Sequence, residues 1–157
     1  MADNLPPAQA PNVPQMSIEK IYVKDLSIEN PGAPQSFRMN EAPQIEVGLR
    51  TSSEALDPGV YETVLTMTVT ARAGGKTVFL VEASQAGIFT LRGIDEQQIG
   101  LVLSTQCPGV LFPYVRETIA DSTQRMGFPP IHLAPINFEA LYAQQQQAPA
   151  TAAAAAT

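Results

Sequence analysis

At 157 residues, 45% of them hydrophobic, the chain has material for one domain around one modest core. Its formal net charge of −6 argues against a nucleic-acid surface, where clustered Lys and Arg must displace counterions, and favours a basic partner or a basic unfolded polypeptide. No apolar run approaches the ~20 residues that span a bilayer, the N-terminus shows no basic stretch leading into an apolar one, and the single cysteine, Cys107, has no internal disulfide partner, so a cytoplasmic protein with no direct membrane insertion is expected.

Residues 1–15 contain Pro6, Pro7, Pro11 and Pro14 without an apolar period, and residues 144–157 pass from a glutamine run into an Ala/Thr/Pro tract; both ends read as disordered tails around a folded unit at 16–143. Within 16–28 the apolar residues fall at 16, 18, 21, 23, 26 and 28. The period of two therefore slips twice, which predicts a long strand bulged near Glu19 and Lys24. After the turn residues 30–34, Ile45, Val47 and Leu49 alternate with Glu46, Gly48 and Arg50 as a second strand. Asp57-Pro58-Gly59 turns the chain into a third at 61–72. There Tyr61, Leu65, Met67 and Val69 share one face, and Glu62, Thr66, Thr68 and Thr70 the other. Gly74-Gly75 predicts a hairpin into a fourth strand at 77–91, with Phe79, Val81 and Ala83 opposed to Val78, Leu80 and Glu82.

Helices are predicted after Ile94. Asp95 stands at the cap of a segment over 96–106 whose Ile99, Leu101, Val102 and Leu103 form a stripe wide enough to suggest burial between layers. Beyond Pro108, helical spacing runs from Val110 to Met126, with Pro113 either in the first turn or at a kink, and Gly127 is the stop. Asn137 can cap a short last helix, with Ile136 stapled onto Leu141. The sum is an α+β fold: a four-stranded antiparallel sheet with its helices on one side.

Catalytic patterns are weak. Cys107 has no base at a telling spacing, and the single histidine, His132, lies between Ile131 and Leu133 with no companion ligands, so both read as packing or loop residues. Gly74-Gly75 lacks the Lys-Ser/Thr continuation of a phosphate loop. No metal, cofactor or enzyme activity is expected. A thiol enzyme using Cys107 and a closed lipid pocket are the readings from other classes.

Binding surfaces are easier to place. Pro129, Pro130 and Pro135 keep residues 128–138 from burying themselves as a helix, which leaves Phe128, Ile131, Leu133 and Phe138 on an extended segment and predicts a cleft between that segment and the sheet edge. On the first strand Asp25 and Glu29 point away from Leu26 and Ile28, ~13 Å apart by strand rise. Glu82 likewise points away from Val81 and Ala83.

Three blocks in order carry a family resemblance: Ile21-Tyr22-Val23-Lys24-Asp25-Leu26-Ser27, then Gly87-Ile88-Phe89, then the proline-rich runs Cys107-Pro-Gly-Val-Leu-Phe-Pro-Tyr-Val-Arg-Glu117 and Phe128-Pro-Pro-Ile-His-Leu-Ala-Pro-Ile-Asn-Phe138. Over residues 16–142 the chain resembles the SecB protein-export chaperones. The resemblance implies an ATP-independent chaperone that holds unfolded precursor polypeptides and delivers them to the SecA motor ATPase. It places SecA docking on Asp25, Glu29, Leu80 and Glu82, and the substrate groove on Phe37, Phe128, Ile131, Leu133, Phe138 and Tyr142. It further implies a homotetramer, a dimer of dimers, with Val110, Tyr114 and Ile119 of the long helix at the interface. A general stress or toxin-antitoxin holdase on the same fold is the alternative. The family often has a tryptophan just before the second strand, where this chain has Glu41.

Overall fold

The computed structural model describes residues 12–147. Strands β1 (Gln15–Glu29), β2 (Gln44–Asp57), β3 (Val60–Ala73) and β4 (Lys76–Arg92) precede helices α1 (Glu96–Ser104), α2 (Gln106–Arg125) and α3 (Phe138–Gln147). All neighbouring strands are antiparallel, in the order β1-β4-β3-β2, and the helices sit on one face of the sheet. Of the tails expected at 1–15 and 144–157, Gln15 opens β1 and residues 144–147 belong to α3, while 1–11 and 148–157 lie outside the described residues.

The turns follow their residues. Pro58-Gly59 joins β2 to β3, with φ fixed by the proline at the first position and a φ of 76° at the glycine. Gly74 and Gly75, at φ 57° and 75°, meet the positive-φ demand of a two-residue hairpin whose twist matches its strands. The register of β1 on β4 shifts between Ile18 and Lys20 and again between Val23 and Asp25, at the two predicted bulges. Each bulge absorbs one residue, so Met16, Ile18, Ile21, Val23, Leu26 and Ile28 all stay on the helix side.

That side holds the core. Leu65, Met67, Val69, Val81 and Phe89 of the central strands meet Leu111, Val115 and Ile119 of α2, all at 0% exposure. Full burial of each such side chain stabilises the fold by ~1.5–3 kcal/mol. On the opposite, outer face the polar side chains of β3 are closed off by their neighbours: Thr66 and Ser84 share a 2.8 Å hydrogen bond, and Thr68 donates to Glu82 at 2.7 Å.

Thr105, at φ −123° and ψ −63°, breaks the helical run between α1 and α2. Asp95 stands at the N-cap of α1 without a side-chain cap bond. Pro113 lies well inside α2 instead of in its first turn, because the helix already begins at Gln106. Gly127, at φ 94°, ends it: Phe128 N–H donates to Thr123 O at 3.1 Å and Gly127 N–H to Gln124 O at 2.9 Å, the paired bonds of a Schellman turn. Asn137 Oδ1 accepts from Ala140 N–H at 3.0 Å and caps α3 as expected.

The stripe on α1 is not buried between layers. Within the chain only Val102 is buried, and Leu101 is 41% exposed, because α2 already covers the central strands and α1 is left at the β2 side.

Gly87 of β4 faces Leu111 of α2. A Cβ there would lie 2.8 Å from the Phe89 ring and 3.0 Å from a Leu111 methyl, both fully buried side chains. Gly87→Val is expected to cost about 1–3 kcal/mol through overpacking, read as a lower urea midpoint. An unchanged midpoint would show that α2 can lift off the sheet without penalty.

Candidate functional site

Both edges of the sheet's helix side are left open. Ile45, Val47 and Leu49 of β2 pair with Ala71, Val69 and Met67, so they share the face that the helices cover in the middle. They are nonetheless 42%, 52% and 37% exposed. The segment entering β2 adds Phe37 and Met39 at 50% and 43%. Since β2 ends the sheet, a row of its backbone N–H and C=O groups has no strand partner beside this apolar shelf.

The nominated groove residues fall into two places instead of one. Phe128 stacks between Phe37 and Phe79, with ring centroids 5.1 and 4.7 Å away. Phe37 also closes over the Schellman turn, where a Cβ on Gly127 would come within 2.9 Å of its ring. At the other place Phe138 and Tyr142 line a cleft of about 270 Å³ with Leu49, Leu103 and Leu141. This cleft opens between β2 and helices α1 and α3; a second hollow lies beside the extended segment, as the prolines predicted, lined by Pro135, Ile136 and Asn137, but against Thr105 and Gln106 at the α1–α2 junction and not against the sheet edge. Leu133 is only 7% exposed and belongs to the core; Ile131 is half-buried. The β2 shelf was not nominated from the sequence. Its apolar alternation was visible, but alternation does not reveal that the strand is an edge.

The acidic residues are brought together. Cross-strand pairing puts Glu29 beside Leu80, Ser27 beside Glu82 and Asp25 beside Ser84, three adjacent rows on the outer face. Glu82 is held from two sides, by Thr68 Oγ1 at 2.7 Å and Arg50 Nη2 at 3.6 Å. Among the described residues neither Asp25 nor Glu29 has a salt-bridge partner. Farther along the same face Glu62 accepts from Tyr22 and from Lys24, the latter at 2.6 Å. Those two bonds hold its carboxyl below the usual range, and the bond to Glu62 pushes the Tyr22 hydroxyl up to about 12.

Of the residues nominated for an interface, Tyr114 is 49% exposed and Val110 half-buried. Ile119 is a correction: it is wholly buried against the chain's own sheet. Five residues along a helix turn through ~500°, which puts Ile119 some 140° round from Tyr114.

Cys107 is fully buried, with its Sγ 3.8 Å from Met16 Sδ. Burial pushes its thiol up to about 11, against a contact with Thr63 that acts the other way. His132 lies exposed in the segment before α3.

A sheet whose apolar inner face stays open along both edges, with no metal-ligand cluster among the described residues, has the surface of a binding protein. The family model described as preprotein translocase subunit SecB matches residues 9–149. The protein-export protein SecB of Methylobacillus flagellatus is 53% identical over 144 residues, 92% of each chain. That of Thiobacillus denitrificans is 51% identical over 143 residues, 91% of this chain and 94% of its own. The chain belongs to the SecB family, the protein-export chaperones. The fold is also that of a SecB-like chaperone from Mycobacterium tuberculosis, solved with a peptide from an antitoxin, at a TM-score of 0.64 and 18% identity over 78% of this chain and 91% of that one.

The buried thiol sets an alkaline limit. A group whose folded pKa is raised, here from 9.0 to about 11, contributes stability that is fully present below the unfolded value and lost as pH rises through the folded one. The urea midpoint is therefore expected to hold up to about pH 9 and decline between about 9 and 11. In Cys107→Ala it should start lower, from the lost packing, and fall less steeply over that window. An equally steep fall in Cys107→Ala would assign the loss to other groups.

Proposed function

We propose that the protein captures precursor polypeptides before they fold, lays them along the β2 shelf, and presents them to the SecA ATPase through its outer acidic face. It does so in the cytoplasm, without a catalytic step, metal or cofactor of its own. The observation that carries the reading is the apolar shelf of Ile45, Val47 and Leu49 beside an unpaired strand edge. Apolar burial gives affinity without regard to sequence, and backbone groups offered by an edge suit any extended chain. Phe37, Phe128, Ile131, Phe138 and Tyr142 extend the shelf into the aromatic cluster at one place and the cleft at the other.

The working unit in this reading is a homotetramer, a dimer of dimers. Supporting it are Ile18, Val23, Leu26 and Ile28 of β1, 41–49% exposed on the helix side of a second free edge, and Tyr114 on α2. An antitoxin-type holdase is less favoured, since relatives at about half identity are export proteins.

Capture is tested with Val47→Asp, at an exposed position, combined with Tyr142→Asp, at a half-buried one that lines the cleft. A carboxylate buried unpaired under a bound chain costs more than the ~1.4 kcal/mol that a tenfold change represents, so affinity for an unfolded preprotein should drop at least about tenfold with the oligomer intact. Unchanged affinity would move substrate off the shelf.

Docking is tested with Asp25→Lys and Glu29→Lys together. Exposed reversals shift stability by less than about 0.5 kcal/mol, so folding and preprotein capture should survive. Affinity for SecA should fall sharply, and in the parent it should weaken as salt is raised. If the reversed protein binds SecA as well as the parent, the acidic face is only solvated surface.

A further inference from the structure

We propose that Arg50 is a built-in competitor at the acidic face, occupying Glu82 until a basic partner displaces it; the inference rests on the docking reading above. The rows of the outer face show how it reaches. Gly48, Thr68, Glu82 and Ser27 lie side by side across the four strands, and Arg50, Thr66, Ser84 and Asp25 form the next row. Gly48 has no side chain to stand between Glu82 and the β2 edge. Even a Cβ there would come no nearer than 3.8 Å to Thr68. Arg50, one row along, leans across this gap and places Nη2 3.6 Å from Glu82 Oε1.

The two contacts on Glu82 differ in kind. Thr68 donates to Oε2 at 2.7 Å from a half-buried position, which orients the carboxylate without changing its charge. Arg50 contributes a full positive charge from a side chain 70% exposed, at a separation too long for a tight bidentate pair. Such a pair is weak and readily exchanged, worth a factor of about two to five in an equilibrium. Its effect on an approaching cation is direct: of the three carboxylates at the site, Asp25 and Glu29 are presented with no salt bridge among the described residues, and Glu82 is partly neutralised. A basic group that docks on Glu82 must move Arg50 aside. The sequence therefore lowers docking affinity, and it keeps a substrate-free or partner-free face from gathering other cations.

The experiment compares Arg50→Gln with Arg72→Gln in the full-length protein. Arg72 lies on the same face and pairs with Glu46 at 3.3 Å, so its loss changes net charge equally while leaving Glu82 untouched. Using purified SecA as the probe, Arg50→Gln should raise affinity about two- to five-fold and steepen its salt dependence, with a gain well above that of Arg72→Gln. In a Glu82→Gln background the gain from Arg50→Gln should vanish. Equal gains from both arginine variants would reduce the effect to net charge and overturn the competitor role. So would a flat or weakened Arg50→Gln in a protein whose binding is lost on Asp25→Lys with Glu29→Lys. Binding that survives those reversals overturns the docking site itself, and Arg50's role with it.

Discussion

The sheet is wider than the helices that cover it. Helix α2 seals the middle of the inner face, where Leu65, Met67, Val69 and Val81 are wholly excluded from water. The same apolar alternation continues outward into β1 and β2, where α1 and α3 reach only as far as Leu49 and Ile18, Val23, Ile45 and Val47 stay exposed. Among the described residues three α-helices face four strands of 14 to 17 residues, and the surplus apolar surface at both edges follows from that mismatch. In an ordinary enzyme such edges would be an aggregation hazard. In the reading proposed above they are what the protein's partners meet.

The two faces of β2 use opposite physics. Leu49 points to the shelf, where contact is non-directional and not subject to charge screening; Arg50, the next residue, points to the outer face, where contact is electrostatic and screened within about a Debye length of ~8–10 Å. Strand alternation alone keeps these surfaces apart. Each can therefore be altered without disturbing the other, and neither needs a loop or a second domain to carry it.

Much of this was legible because local chemistry and tertiary structure agree. The slips at Glu19 and Lys24 could be read as bulges since only a bulge keeps Leu26 and Ile28 on the face of Met16 and Ile18. Gly74-Gly75, Gly127 and Asn137 performed the turns and caps their side chains dictate. What stayed hidden depends on strand order. Periodicity showed that Ile45, Val47 and Leu49 share a face but not that β2 is the last strand, so their exposure could not be inferred. Residues 51–57 continue β2 with little apolar alternation, and the strand ran longer than its pattern for that reason. Ile119 was misplaced by treating one helix stripe as one surface, although a stripe that wide spans both the side packed on the sheet and its flank. The nearness of Arg50 to Glu82 crosses three strands and has no linear signature.

The strand order also writes a history for each newly made chain. β2, β3 and β4 are joined by two-residue turns and can zip as neighbours, whereas β1 waits for partners 51 to 77 residues downstream on β4. Contacts of such separation form late, since loop closure must be met before they return any stabilisation. β1 is made before its partner strand and is expected to order last, so pulse-labelled hydrogen exchange should find its amides among the slowest to gain protection. Until residues 80–92 have emerged from the ribosome, the chain carries an unpaired strand with an apolar stripe, the same kind of segment that the proposed function has it hold for others.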